Sequence, residues 1–205
     1  MRVGGICGIL GIVSYLAAAF APLPDFLGYV AAFAFGPLIS ISSLGLYHWL
    51  AANRRTPLLQ IATGFGIAAG VTVLIMLTTQ QSIFEVQRAR IASTNESTAI
   101  ETYKKVSEGL NAVHYGIDVA WDVLIGSAVV LFGIAMMRHN LLLKVLGASG
   151  VLIGLLLLSF NLWYFPTPPG DAGSIDWGPL TALWMLVSYV LLLRAGFKRE
   201  PISEH

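Results

Sequence analysis

The chain has 205 residues, 56% hydrophobic and 11% charged, with a mean hydropathy of +0.75 and a formal net charge of +1. A soluble domain carries about 25% charged residues. Less than half that share, with successive apolar runs of membrane-spanning length, points to a single integral membrane domain over residues 1–205 and to no separate soluble domain. The near-zero charge implies no bulk attraction to nucleic acid. The single cysteine, Cys7, excludes an intrachain disulfide or a paired-cysteine site.

Six spans are predicted, at residues 4–21, 27–51, 57–79, 110–137, 141–162 and 177–196. Each is long enough to cross ~30 Å of hydrocarbon as a helix. Irregular backbone cannot face lipid, and the period-two alternation of a β-barrel is missing, so an all-α, six-span bundle is the expected fold.

In the first span, Arg2, an apolar stretch and Ala19-Phe20-Ala21 loosely match a signal peptide. The stretch is long for such a segment and carries Gly4, Gly8 and Gly11, so a retained helix is expected. Cys7 reads as a small lipid-facing or helix-facing residue. The second span ends on Tyr47-His48-Trp49, an interfacial aromatic belt. Small-residue pairs at Gly4/Gly8, Gly66/Gly70 and Gly150/Gly154 suit close helix packing within one bundle.

Residues 80–110 are too long for a simple turn. Phe84, Val86, Ile91, Ile100, Tyr103 and Val106 alternate with charges. This pattern predicts an interfacial or re-entrant helical segment of two short amphipathic helices, broken near Ser93-Thr94-Asn95. The second should run straight into the fourth span. Asn95-Glu96-Ser97 matches a glycosylation acceptor, a triplet common by chance.

Orientation follows from the basic residues. A six-span layout puts Arg2, Arg54, Arg55, Arg138, Lys144, Arg194, Lys198 and Arg199 on one side. The others, Arg88, Arg90, Lys104 and Lys105, share one long connection that weighs little. Both termini should be cytoplasmic. The opposite side carries Asp25, Glu85, Glu96, Glu101, Glu108, Asp171 and Asp176.

The fourth span holds the most informative residues. His114, Asp118 and Asp122 recur every four positions, so a helix stacks them near one face, about 6 Å apart along the axis. Ionisable groups inside a span are costly and mark a functional site by default. Two carboxylates one turn apart in a low dielectric do not readily both ionise unless a cation or a base lies between them. His114, a metal ion or a water-filled cavity could serve. A metal site from His114, Asp118 and Asp122 is short of nitrogen ligands, because His48, His139 and His205 fall at the other side.

In the fifth span, Asn161 is a buried amide that needs a partner. It lies at a depth comparable to His114 or Asp118, with Tyr164 nearby. Trp163, Tyr164 and Trp177 read as an outer aromatic belt, and Asp176 with Pro179 as the start of the sixth span. Ser127 and Ser159 have no histidine beside them, which argues against a serine hydrolase.

The residues His114-x-Gly116-x-Asp118-x-x-Trp121-Asp122, Met137-Arg138-His139 and Asn161-Leu162-x-x-Phe165-Pro166-Thr167-Pro168-Pro169 resemble a group of uncharacterised bacterial six-helix integral membrane proteins, catalogued as a domain of unknown function. The resemblance covers roughly residues 110–195. It implies an inner-membrane location and a six-span helical fold, and no activity. The histidine set of zinc-dependent seven-helix ceramidase-like hydrolases is missing.

The expected function is that of a multi-pass membrane protein with an outward-facing polar pocket on the fourth span. The leading active reading is a small proton- or cation-coupled transporter. A lipid-modifying enzyme, metal-dependent or not, and a structural or regulatory role are the alternatives. The expected partners are the bilayer and a small ion or lipid-like ligand. The sequence names no cofactor.

Overall fold

The computed structural model describes residues 1–52 and 55–198. It contains six helices: α1 (Arg2–Phe20), α2 (Asp25–Leu50), α3 (Pro57–Ala92), α4 (Ser97–Met136), α5 (Leu141–Tyr164) and α6 (Gly178–Lys198). All six are long and apolar enough to cross a membrane, and no strand occurs among the described residues. Arg54, Arg199 and His205 lie outside the described residues.

Local chemistry sets several boundaries. Thr56 caps α3 by accepting from the Leu59 amide at 3.4 Å, and Pro57 follows as the first helical residue, where its missing N–H costs nothing. Asn140 caps α5 the same way, accepting from Leu143 N at 3.0 Å. Before α6, the Asp176 carboxylate accepts from Gly178 N at 2.8 Å, and Pro179 sits in the first turn, as the sequence suggested.

The start of α1 and the end of α6 meet at one end of the bundle. Arg2 Nε donates to the Gly196 carbonyl at 2.8 Å and its guanidinium lies 4.8 Å from the Phe197 ring centre. The end of α2, the start of α3 and the end of α4 share that end, because Leu50, Thr56 and Ala135 line one cavity there. At the opposite end, Arg88 of α3 pairs with Asp25 of α2 at 3.2 Å.

Lipid tails are as apolar as leucine, so helix association in a bilayer rests on close packing rather than on apolar burial. The glycines supply that closeness. A Cβ on Gly4 would come within 2.6 Å of the Gly45 Cα, and one on Gly8 would enter the Tyr189 ring. Gly36 faces Gly70, Gly66 faces Ser43, and Gly126 and Gly133 of α4 meet Gly154 and Gly147 of α5. Gly150 leaves room for Trp184, whose indole donates to Leu146 O at 2.8 Å. All three small-residue pairs read from the sequence thus pack inside the bundle, and α1 is a full member of it.

The segment 80–110 is helical and breaks at residues 93–96, close to the expected position. It does not form two separate short helices. The first piece is the uninterrupted end of α3 and the second is the start of α4. No proline or glycine lies between Val71 and Ala92 to stop α3, so a helix already nucleated in the membrane simply propagates. At 40 residues, α4 is about 60 Å long, twice the hydrocarbon thickness. The Gly126–Gly154 and Gly133–Gly147 contacts fix an antiparallel register in which Tyr164, the last residue of α5, is level with about residue 116 of α4. The preceding turns of α4 project past α5 and pair with α3 as a helical hairpin.

Candidate functional site

α4 carries His114, Asp118 and Asp122 down one side, as their four-residue spacing requires. His114 and Asp122 are buried, at 9% and 7% exposure, and Asp118 is half-buried. They therefore lie against protein rather than in open lipid. The α4–α5 register sets Asp122 level with about residue 158 and Asn161 level with about residue 119, so Asn161 stands within a turn of both aspartates.

Level does not mean bonded. Asn161, 5% exposed, donates from Nδ2 to the Leu157 carbonyl at 3.0 Å, one turn back in its own helix. That local bond turns one amide donor back onto its own helix instead of across the seam. Tyr164 packs on Phe160, ring centres 6.2 Å apart, and lines a groove of ≈ 270 Å³ with Ser159, Phe160 and Trp163. Among the described residues, no hydrogen bond or ion pair reaches either aspartate carboxylate. His114 Nε2 is buried without a hydrogen-bond partner, as is the Trp121 indole N–H between the two aspartates in sequence.

Three residues from elsewhere in the chain complete the site. Asp176, just before α6, is near enough for its charge to act on Asp118, Asp122 and Tyr15 of α1. Tyr15 is within range of all three carboxylates and packs on Phe35, ring centres 4.9 Å apart. Phe35 in turn meets Trp121 edge-on at 6.5 Å. On the α6 side, Trp177 meets Phe160 at 5.9 Å, and its indole N–H is likewise buried and unpartnered. Spacing rules could not assemble Tyr15, Asp176 and Trp177, which lie about 50 to 110 residues from the aspartates. Asp176 had a sufficient local reading as a helix cap, and it does fill that role. The only hint was that its loop returns to the outer side of the fourth span.

The electrostatics are one-sided. Asp118 and Asp176 act on Asp122, and no compensating Lys, Arg or His contributes among the described residues. Asp176 is exposed, but ionising both Asp118 and Asp122 at their depth would be strongly unfavourable.

The metal reading does not gain from the geometry. Among the described residues, no group of three His, Cys, Asp or Glu side chains is placed to hold a metal ion. The reason is that His114, Asp118 and Asp122 are spread over about 12 Å of one helix. A closed site needs donors converging from neighbouring helices, and α5 offers an amide already bonded to its own backbone.

Comparison with family models, with curated proteins and with solved structures finds no match to this chain. The fold therefore defines the class: a multi-pass α-helical membrane protein with a cluster of acidic and aromatic residues between α1, α4 and the start of α6.

Proposed function

We propose that this protein is a small proton- or cation-coupled membrane carrier, oriented with both termini in the cytoplasm of a bacterial inner membrane, and that Asp122 and Asp118 are its ion-binding groups. One observation carries the reading. Asp122 is 93% buried, receives no hydrogen bond, and feels two other carboxylates with no cation among the described residues to offset them. A structural aspartate in a membrane bundle is held by donors from neighbouring helices. This one is held by none and is left needing a positive charge, which is what a proton or cation path requires. Asp176 and Tyr15 lie within electrostatic range of the carboxylates, suited to passing a proton or an ion outward.

The test is transport by the purified protein in liposomes carrying a pH-sensitive dye, with a potassium–valinomycin potential, repeated with sodium and potassium gradients. Parent protein should move protons or one of these cations well above protein-free liposomes. Asp122→Asn should fold and insert normally and lose that flux. Parent flux no greater than that of empty liposomes for all three ions would overturn the reading.

A further inference from the structure

At the basic end of the bundle, away from the aspartates, a cavity of ≈ 220 Å³ opens between the end of α2, the start of α3 and the end of α4. Its walls include Leu50, Leu59 and Ala135, all buried. Its polar lining is Thr56, Arg138 and His139. Arg138 is exposed and makes no ion pair among the described residues. The same end gathers Arg2, Arg55, Lys144, Arg194 and Lys198, and no Asp or Glu among the described residues lies there. The first turn of α3, whose residues Leu58 and Leu59 also line the cavity, adds the positive end of a helix dipole.

We propose that this cavity binds the phosphodiester headgroup of an anionic phospholipid, with Arg138 as the phosphate-binding residue. Two features select this ligand. The lining is amphiphilic, with apolar walls below a cationic rim, which matches a lipid at the depth where its head joins its chains. Among the described residues the positive charge has no acidic counterpart, so an anion completes it. The volume is below the about 300–1,000 Å³ of sites for drug-sized ligands, so it admits a headgroup and leaves the acyl chains along the bundle surface. The guanidinium fork suits two phosphate oxygens at once.

The experiment uses the full chain in neutral detergent, with thermal unfolding followed during titration. The probes are six-carbon-chain phosphatidylglycerol, phosphatidylcholine with the same chains, and inorganic phosphate. The glycerol lipid should raise the melting temperature at concentrations at least tenfold lower than the choline lipid, and phosphate alone should do little. Arg138→Gln should abolish that preference, while Lys144→Gln, at the same end but outside the cavity, should keep it. Leu58→Trp fills the cavity without removing charge and should also abolish it, so it decides the matter if Arg138→Gln does not fold. Equal response to the two lipids, phosphate acting as well as lipid, a preference that survives Leu58→Trp, or an equal loss in Lys144→Gln would each overturn the proposal.

Discussion

Asp122 and Asn161 lie within a turn of one level on the packed helices α4 and α5, yet the Asn161 amide bonds the Leu157 carbonyl at 3.0 Å and leaves the carboxylate alone. An acid and an amide this close would be expected to pair if the role were to fasten two helices. That they do not leaves Asp122 without a fastening role between α4 and α5, as the proposed carrier reading requires.

The stability of Asp122 variants follows directly. Removing one member of a buried bonded pair costs stability because the other is stranded. Asp122 has no bonded partner to strand. Asp122→Asn should therefore melt with the parent. Asp122→Leu should match it or gain about 1–3 kcal/mol, since it removes a group costly at that depth. Thermal melts in detergent check this. A loss above about 2 kcal/mol in the leucine variant would show that a donor does hold Asp122.

Glycine substitutions should divide sharply by contact. A Cβ on Gly8 would overlap the Tyr189 ring, whereas one on Gly64 meets nothing within 4 Å. Gly8→Ala should cost about 1–3 kcal/mol through overpacking. Gly64→Ala should be neutral or gain up to about 1 kcal/mol, because alanine is the better helix former. Combining Gly8→Ala with Tyr189→Leu should recover part of the loss, which a double-mutant cycle on melting data would read as coupling.

Much of the architecture was legible because the bilayer restricts the choices. Apolar length alone located six helices, and the caps at Thr56, Asn140 and Asp176 stand where the sequence put the span starts to within a residue or two. The extent of α3 was not legible. Hydropathy falls after Thr79, but hydrogen-bonded helix does not stop where polarity begins, and nothing up to Ala92 breaks it. At the site, the four-residue spacing gave His114, Asp118 and Asp122 as one face. It could not give Tyr15 or Asp176, because proximity across helices depends on glycine-set register. Nor could it tell that Asn161 would bond its own helix backbone.

The pair joining Arg88 to Asp25 at 3.2 Å links the α3 extension to the start of α2, with a second bond to Glu85 at 2.8 Å. The Arg88 and Asp25 side chains are 53% and 67% exposed, so water screens the interaction. Arg88→Ala should cost less than about 1 kcal/mol. A larger loss in melting experiments would mean that the hairpin is anchored through Arg88 rather than through continuous helix.

Orientation is open to a direct test. Among the described residues, the end where α1 begins and α6 finishes carries Arg2, Arg55, Arg138, Lys144, Arg194 and Lys198 without acids. The other end mixes Arg88, Arg90, Lys104 and Lys105 with Asp25, Glu85, Glu96, Glu101 and Glu108. Basic residues in short loops stay on the cytoplasmic side during insertion, whereas long connections translocate with little regard to charge. The α4–α5 turn holding Arg138 is short, so it should be internal. The α3–α4 hairpin tip at Glu96 should be external. Replacing Cys7 with alanine gives a background free of cysteine, since it is the only one. Single cysteines at 138 and 96 can then be challenged with an impermeant maleimide on intact bacterial cells. Position 96 should label at once, and position 138 only after the membrane is opened. If position 138 labels in intact cells and 96 does not, the bundle is inverted, and the carboxylate site opens inward. If both label from one side, the six-span crossing itself fails, because α4 alone separates them.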